Sequence, residues 1–331
     1  MDLDVKVDVD VAVLTRGLSR SFGGVRAVCD VDLRIQRGTV VGLLGPNGSC
    51  KTTLIRMLST LLRPTSGRAW VAGADIQTSP AIVRRHIGLT GQYAAVDEFL
   101  TGRENIQMMG RLLGLSSRDA KARANVLLEA FVLSDAANRA LSTYSGGMRR
   151  RLDLALSLTG HPEIVFLDEP TTGLDPRSRF EMWRVIEDLV ADGTTALLCT
   201  QYLEEADKLA ERVVILDRGR VVAEGSPEQL RGEVGGQVVE VTLSDSSKRP
   251  AATAVLSPIL VSTIEASEDP CVLRIPVRSA DNLADVVRLF DASGIAFHGL
   301  ALHQPTLDDV FLALTGRRAD RSREVRERAY T

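Results

Sequence analysis

The sequence predicts an α/β protein with a mixed sheet core, a helical insertion and a small α+β domain towards the C-terminus. Over roughly the first 230 residues, short apolar runs alternate with longer helical patterns, which is typical of a mainly parallel sheet flanked by helices. Strand signals are scarce over 103–160, and a glycine-rich stretch at 225–237 fits a linker. The length of 331 residues suits one large domain and one smaller one.

The elements of the larger domain follow from apolar runs and turn signals. We assign it residues 1–230, with the helical insertion at about 93–160. A helix over 51–62 is stopped by Pro64, and another over 176–191 begins after Asp175, a good N-cap. The predicted strands are 40–44, 163–168, 194–200, 213–217 and 220–224, the last two forming a hairpin.

A small α+β domain is assigned to 231–316. In its last helix Leu307, Val310, Phe311 and Leu314 follow helical spacing and predict a packed face. The tail at 317–331 has six arginines, three acidic residues and few apolar ones, so we expect it to be disordered. The predicted strands are 238–243, 271–277 and 295–302, and the predicted helices are 281–293 and 306–315.

Composition excludes several classes of protein. A net charge of −3 argues against nucleic acid as a partner. No stretch approaches the ~20 apolar residues of a membrane helix, and the acidic, alternating N-terminal segment does not resemble a secretory leader. The four cysteines are scattered without a CxxC pair, which suits a reducing compartment and predicts no cysteine metal site. Any membrane role is therefore expected to depend on a partner.

A stretch between the strand at 40–44 and the helix from Lys51 is almost a phosphate-binding loop. It fits the pattern G-x-x-x-x-G-K-[ST] except that Cys50 stands where glycine is expected. Such a loop aims backbone N–H groups and a helix N-terminus at phosphate oxygens. Lys51 would reach the β- and γ-phosphates, and the Thr52 hydroxyl would hold Mg²⁺. An ordinary strand–helix turn is the alternative. The candidate phosphate-binding residues are Gly45, Pro46, Asn47, Gly48, Ser49, Cys50, Lys51, Thr52 and Thr53.

Two carboxylates end the predicted strand 163–168. Asp168 can hold Mg²⁺ through water, and Glu169 can polarise an attacking water. A solvated acid pair at a strand end is the alternative interpretation. The carboxyl end of a strand beside a phosphate loop is nevertheless where the metal needs an acidic partner.

A second candidate anion site is Ser145-Gly146-Gly147, which opens a helix and is followed by three arginines at 149–151. The helix dipole disfavours cations in the first turn, so nearby acidic groups or phosphate would account for these arginines. The alternative is a serine N-cap with a solvated basic face.

The segments GPNGSCKT, Gln92, YSGGM, FLDEP and GLDP occur in the order found in ATP-binding-cassette (ABC) ATPases, which residues ~10–230 resemble. The resemblance implies a P-loop NTPase fold of ABC type that binds ATP and Mg²⁺. It also implies a head-to-tail pair of cassettes, each placing Ser145, Gly146 and Gly147 against the ATP of its partner. Gln92 would sense Mg²⁺ and the transport partner, Asp175 would cross the dimer, and Phe22 would stack on adenine.

Two positions depart from the family pattern. One is Cys50: if its φ is positive, strain of about 1–2 kcal/mol would weaken ATP binding roughly tenfold to thirtyfold. The helix N-terminus and Lys51 are also expected to lower the Cys50 pKa. The other is Gln201, where most members carry a histidine at the γ-phosphate; glutamine donates a hydrogen bond but cannot become cationic.

The segments TGQYAAVDE, TYSGGMRRRLD and PTLDDVFLALTG resemble those of the daunorubicin/doxorubicin-resistance exporter branch of the family. The resemblance implies an ATP-hydrolysing subunit at the cytoplasmic face of the cell membrane. It would pair with a second cassette, most simply an identical one, and drive a separate membrane-spanning permease that exports a drug, antibiotic or lipid-like compound. Glu169 and Gln201 would be catalytic, and Thr52, Gln92 and Asp168 would hold the metal.

Two other functions stay open at this point. Cys50 and Gln201 favour a regulatory subunit that binds nucleotide but hydrolyses it weakly, whereas the intact Asp168–Glu169 pair opposes that interpretation. An ABC protein of DNA repair or translation would carry long coiled-coil inserts or two cassettes. This sequence has one phosphate loop and one Ser-Gly-Gly segment, so that function ranks last.

Overall fold

The computed structural model describes residues 8–91, 96–234, 237–261, 264, 269–277, 281–303 and 305–314. Its contacts divide the chain into two compact units, Met1–Pro227 and Glu228–Thr331. The strands of the first unit are β1 (Val11–Phe22), β2 (Val25–Gln36), β3 (Val40–Leu44), β4 (Ser66–Val71), β5 (Ala74–Asp75), β6 (Ile87–Thr90), β7 (Ile164–Asp168), β8 (Thr195–Cys199), β9 (Arg212–Asp217) and β10 (Arg220–Gly225). Its helices are α1 (Lys51–Leu58), α2 (Pro80–His86), α3 (Gly102–Leu112), α4 (Ser117–Ala130), α5 (Gly146–Ser157), α6 (Pro176–Ala191) and α7 (Leu203–Leu209).

A six-stranded mixed sheet forms the centre of this unit, in the order β10-β9-β3-β8-β7-β6. Five strands are parallel, and β10 returns antiparallel to β9, as the predicted hairpin requires. Strand β8 separates β3 from β7: Cys199 lies opposite both Leu43 and Asp168. The carboxyl ends of these three strands therefore meet at one edge, which is where parallel sheets of this kind bind ligands.

An antiparallel sheet with the order β2-β1-β4-β5 packs on the same core. Strands β1 and β2 were not predicted from the sequence, although buried and exposed residues alternate along the second half of β2. Helix α1 joins the two sheets, because its Leu54 and Met57 are buried with Val31 of β2 and Leu43 of β3. The phosphate loop is thus held between two packed layers.

Of the helices predicted over 51–62 and 176–191, the structure changes the end of the first and agrees with the second. The helix predicted over 51–62 ends at Leu58, before Pro64 can act, because Thr60 turns into the left-handed region at φ 64°. The helix predicted over 176–191 matches α6. Asp175 caps it, since its carboxylate accepts a hydrogen bond from the Ser178 amide at 2.9 Å.

The insertion is helical over its described part, with α3, α4 and α5 and short 3₁₀ turns at Ser134–Ala136 and Leu141–Thr143. A capping box between Thr101 and Glu104 begins α3, and Ser116 caps α4. The predicted first residues of the insertion, 93–95, lie outside the described residues.

The glycine-rich stretch predicted as a linker contains a helix instead, α8 (Pro227–Val234). The second unit then has an antiparallel sheet in the order β12-β11-β13. Its core includes Val241, Ile275 and Phe290. Residues 307–314 are helical, close to the predicted 306–315. The helix α9 was not predicted, and residues 315–331 lie outside the described part. The elements are β11 (Gln237–Leu243), α9 (Arg249–Leu256), β12 (Val272–Val277), α10 (Asn282–Ala292) and β13 (Phe297–His303).

Candidate active site

The loop between β3 and α1 has the tight turn that the sequence pattern predicts. A Cβ on Gly45 would lie 2.3 Å from the Leu216 carbonyl oxygen and 2.4 Å from Ser49 Oγ, so only glycine fits there. Gly48 has φ 84°, in the region that favours glycine. The Ser49 amide closes the turn by donating to the Pro46 carbonyl at 3.0 Å, and Asn47 is exposed at the tip.

Polar side chains line the inner side of this loop. Lys51 is buried, and its ammonium donates to the carbonyls of Gly45 at 2.7 Å and Pro46 at 3.2 Å. Ser49 is also buried, and its hydroxyl has no hydrogen-bond partner among the described residues. Thr52 and Thr53 are half-buried in the first turn of α1. An ammonium, an unpaired hydroxyl and a helix N-terminus therefore converge, as an anion site requires.

Cys50 has φ 73° and ψ 24°, a left-handed conformation that explains why the pattern has glycine here. Its thiol donates to the Gly48 carbonyl at 3.4 Å. Burial raises the pKa of the Cys50 thiol, and Cys29 adds to this, whereas Thr53 and Lys51 oppose it. The predicted lowering of the Cys50 pKa is wrong, because loss of solvation outweighs the hydrogen bond with Thr53 and the charge of Lys51.

The two carboxylates follow β7 as predicted. Asp168 is buried beside Cys199, and burial together with Asp168 raises the pKa of the Cys199 thiol well above its ordinary value. Glu169 is half-buried with φ 51°; its amide donates to the Cys199 carbonyl at 2.8 Å. The Thr172 hydroxyl donates to Glu169 Oε2 at 3.1 Å. A left-handed glutamate costs of order 1–3 kcal/mol, which the surrounding contacts must offset.

Gln201 lies exposed on a bend between β8 and α7. The Tyr202 amide donates to Thr200 Oγ1 at 3.0 Å and so shapes this bend. Beneath it, the fully buried Glu205 accepts a hydrogen bond from the Trp183 indole at 3.2 Å, and burial raises the Glu205 pKa. The sheet topology thus brings Gln201, Asp168, Glu169 and the phosphate loop to one edge.

Ser145 caps α5: its hydroxyl accepts a hydrogen bond from the Met148 amide at 3.2 Å. Ser145 and Gly146 are exposed, and a Cβ built on Gly146 would meet nothing within 4 Å. A Cβ on Gly147 would lie 3.0 Å from Ser178 Oγ. Among the described residues, close packing therefore explains why position 147 is a glycine. It does not explain the glycine at position 146.

The three arginines that follow each find acceptors within the chain. Arg149 pairs with Glu98 at 3.1 Å, and Arg151 pairs with Glu181 at 3.5 Å. Arg150 bonds to backbone carbonyls around Glu169, and the sequence analysis gave it no role. The only feature of the sequence that pointed to a role for Arg150 was a run of three cations in a first helical turn, where the helix dipole disfavours them.

Phe22 is 45% exposed at the end of β1, and the Arg20 guanidinium lies 4.7 Å from its ring centroid. Asp175 is exposed, and hydrogen bonds from the Ser178 amide and hydroxyl lower its pKa. Gln92 lies outside the described residues.

A cavity of ≈ 260 Å³ is lined by Gly146, Arg149, Arg150, Glu169, Thr172, Gly173 and Leu174.

These features define a P-loop nucleoside-triphosphatase with a cassette architecture, and comparison with known proteins agrees. The family model described as ABC transporter matches residues 28–172. The chain is 49% identical over 319 residues to the daunorubicin resistance ATP-binding protein DrrA2 of Streptomyces coeruleorubidus, covering 96% of this chain and 99% of that one. It is 49% identical over 309 residues to the daunorubicin/doxorubicin resistance ATP-binding protein DrrA of Streptomyces peucetius, covering 93% and 94%.

Among solved structures, the dimeric post-hydrolysis state of the ATP-binding cassette MJ0796 bound to ADP and Pi matches with a TM-score of 0.60 and 26% identity, covering 65% of this chain and 98% of that chain. The chain therefore belongs to the ABC transporter family, as an ATP-binding subunit whose ATPase activity is coupled to transport. The predicted ABC-type P-loop fold is confirmed. Within the described ranges no helix has the length and apolar character needed to cross a membrane.

Proposed function

We propose that this chain binds ATP with Mg²⁺ and hydrolyses it as half of a head-to-tail pair of cassettes. The pair drives a separate membrane-spanning permease that exports a drug, antibiotic or lipid-like compound, and this permease holds the chain at the cytoplasmic face of the cell membrane. One observation carries the proposal: the buried Lys51 begins α1 while Asp168 and Glu169 end β7, two strands along the same sheet edge. The names of the relatives support drug export.

The phosphate loop binds the nucleotide through its amides and Lys51. The ammonium already lies against two loop carbonyls, so a short movement would exchange these acceptors for phosphate oxygens. The Ser49 hydroxyl supplies a further donor that has no other partner in the described part of the chain. Phe22, exposed at the end of β1, offers a ring face on which adenine can stack.

The residues at the sheet edge fit Mg²⁺. Asp168 presents a buried carboxylate and Thr52 a half-buried hydroxyl, and Gln92 would complete the protein ligands. Mg²⁺ keeps several waters and binds through one or two protein groups plus phosphates, so a few oxygen ligands of this kind suffice. When bound, the ion neutralises charge on the transferring phosphate.

Hydrolysis needs a group that polarises water. Glu169 lies one residue beyond Asp168, and the Thr172 hydroxyl orients its carboxylate. Gln201, on the bend after β8, donates its amide towards the γ-phosphate. Phosphoryl transfer requires mainly positioning and charge stabilisation, and these side chains supply both.

The exposed start of α5 supports the arrangement of two cassettes. The Cβ position of Gly146 is open within its own chain, so a phosphate from outside the chain could approach the backbone there. The helix N-terminus at Ser145-Gly146-Gly147 is suited to the γ-phosphate held by a partner cassette. Asp175 is exposed at the start of α6 and would cross the same interface.

A regulatory subunit with weak or absent hydrolysis is the second candidate. The left-handed Cys50 favours it, because a sulfur now lies where glycine is expected beside the phosphates. The intact Lys51, Asp168 and Glu169 oppose it, and the similarity to cassettes of transport ATPases does not favour it.

The test is the substitution Glu169→Gln. It should retain ATP binding but slow turnover by about 10²-fold or more, because a key catalytic group is lost. The variant should accumulate as an ATP-bound dimer, which size-exclusion chromatography with radiolabelled ATP would detect. Glu187→Gln is the matched control, since Glu187 pairs with Lys208 on the surface. Normal turnover in Glu169→Gln would refute the assignment, and ATP binding without turnover in the unsubstituted chain would favour the regulatory subunit.

Export is tested separately. Purified with its membrane permease in lipid vesicles, the chain should show ATP turnover that the transported compound stimulates. We expect amphipathic drugs or antibiotics to stimulate it. Stimulation by none of the drug, antibiotic and lipid classes would contradict the export proposal while leaving the ATPase intact.

A further inference from the structure

One arginine side chain holds the backbone on both sides of Glu169. Arg150 Nε donates to the Pro170 carbonyl at 2.8 Å, and its Nη2 donates to the carbonyls of Asp168 at 3.0 Å and Glu169 at 2.6 Å. Its Nη1 donates to the Gly91 carbonyl at 2.8 Å. Four carbonyls are thus gathered by one guanidinium, whose side chain is only 13% exposed.

These carbonyls belong to two strand exits. Asp168, Glu169 and Pro170 form the exit of β7, and Gly91 follows β6 and directly precedes Gln92 in the chain. Arg150 itself belongs to α5, whose first turn is Ser145-Gly146-Gly147. One planar guanidinium therefore ties the start of α5 to the backbone that carries Glu169, at a point where a left-handed glutamate must be held in place.

The contact geometry favours arginine over lysine. A guanidinium offers five N–H donors in a fixed plane, whereas a lysine ammonium is a compact point charge. Nε and Nη1 of Arg150 serve the carbonyls of Pro170 and Gly91 separately, whereas the single nitrogen of a lysine would have to serve both. Asp153, one turn further along α5, lies 3.5 Å from Arg150 Nη1 and offsets part of the charge.

We propose that Arg150 is a positioning residue for hydrolysis: it acts through the Glu169 backbone, and it links that backbone to the helix that contacts the partner cassette's ATP. The inference rests on the proposed catalytic role of Glu169. The guanidinium donors of Arg150 are taken up by backbone carbonyls, so we expect it to act through the backbone and not on the reacting atoms. Its loss should therefore change turnover and leave ATP binding unchanged.

The neighbouring Arg151 provides a matched control. Its side chain is 15% exposed, nearly the same as Arg150, and it lies on the same helix. Its guanidinium contacts the Phe131 carbonyl at 3.4 Å and Glu181 at 3.5 Å, which are both away from the exits of β6 and β7. Arg151→Gln removes an equally buried arginine without touching the Glu169 backbone.

The experiment compares Arg150→Gln, Arg150→Lys and Arg151→Gln in ATP turnover, ATP binding and thermal unfolding. We expect Arg150→Gln to lower kcat about tenfold or more with KM for ATP within about twofold of the unsubstituted chain, because a misplaced catalytic group costs rate and not nucleotide affinity. Arg150→Lys should stay several-fold slow although its charge is kept, and Arg151→Gln should lose thermal stability without losing kcat. If Arg150→Gln does not fold, Arg150→Lys carries the same comparison.

A double substitution tests the route. In the Glu169→Gln background, Arg150→Gln should cause no further loss of turnover, since both act at one group. Full kcat in both Arg150 variants beside a slow Glu169→Gln would overturn the inference and leave the proposed function standing. Additive losses in the double variant would also overturn it. Normal turnover in Glu169→Gln alone would refute the role of Glu169, and the inference with it.

Discussion

Cys50 shows how one residue can alter a binding loop without removing it. Its φ of 73° is the conformation that glycine adopts at no steric cost, and a side chain there costs about 1–2 kcal/mol. Because the left-handed backbone belongs to the folded loop itself, its strain lowers the stability of the fold and not, as predicted from the sequence, the affinity for ATP. We expect the volume of the sulfur, which lies close to the Gly48 carbonyl, to be what hinders the phosphates.

Two substitutions separate these effects. Cys50→Gly should raise the free energy of unfolding by up to about 1 kcal/mol, since relief of strain is partly offset by the added freedom of the unfolded chain. It should also tighten ATP binding. Cys50→Ala keeps the left-handed Cβ but removes the sulfur, so only ATP binding should tighten. Urea unfolding and ATP titration measure the two quantities. No change in either for Cys50→Gly would show that the loop tolerates the cysteine.

Residue types at the site could be predicted from the sequence, but their backbone contacts could not. Lys51, Asp168 and Glu169 lie at the ends of elements marked by apolar runs and turn signals, so their places followed from the pattern. Arg150 binds only carbonyls and one helix neighbour, and carbonyls carry no sequence signal. The pKa of Cys50 was likewise predicted in the wrong direction, because neither its burial nor the nearby Cys29 of β2 is apparent from the local sequence.

Among the elements, a single glutamate connects three of them at the amino end of β7, opposite the candidate active site. Glu163, just before β7, accepts a hydrogen bond from Arg37, which follows β2, and bonds to His86 Nδ1 at the end of α2 at 2.6 Å. Burial alone would raise the Glu163 pKa, but the hydrogen bonds from Arg37 and His86 outweigh it and lower the pKa.

This lowered pKa predicts a pH-dependent contribution to stability. A carboxylate stabilised in the fold contributes above its ordinary pKa, and the contribution is lost as the pH falls through the lowered folded value. Glu163→Gln should therefore be less stable than the unsubstituted chain at pH 7 by under about 1 kcal/mol, because the side chain is partly solvent-exposed. The difference should shrink below about pH 4. Urea unfolding at both pH values tests this, and a constant difference would contradict it.

The elements that were missed have physical reasons. Strand β1 has register shifts at four points along its pairing with β2, so its apolar positions do not keep a strict alternation. Helix α9, with the sequence RPAATAVL, has only eight residues, of which three are alanine, so it offers few positions from which a helical pattern can be recognised. Helix α1 ends earlier than predicted because Thr60 adopts a left-handed conformation. The residues of the segment favour a helix, so nothing in the sequence indicated this turn.

For the whole molecule, the exposed start of α5 supports the proposal that two cassettes together form the ATP sites. Lys51 begins α1 at the sheet edge, whereas Ser145 begins α5 in the helical insertion. In a head-to-tail pair, each ATP would take Lys51 from one chain and Ser145 from the other. Each of the two sites is then built from both chains, and a defect in one chain can be supplied by its partner.

Mixing two inactive variants tests this arrangement. Lys51→Ala removes the phosphate lysine, and Ser145→Arg places a bulky cation at the exposed start of α5, so each variant alone lacks both sites. In a mixed dimer, one site combines the intact Lys51 of one chain with the intact Ser145 of the other. With random pairing of equal amounts, half of the dimers are mixed, so turnover should recover to about a quarter of the unsubstituted level if the sites act independently. Ser116→Arg is the control for loss of a helix cap, because Ser116 caps α4 in the same way, and it should keep turnover on its own. A mixture as inactive as its components, with mixed dimers shown by differently tagged chains, would contradict the head-to-tail arrangement.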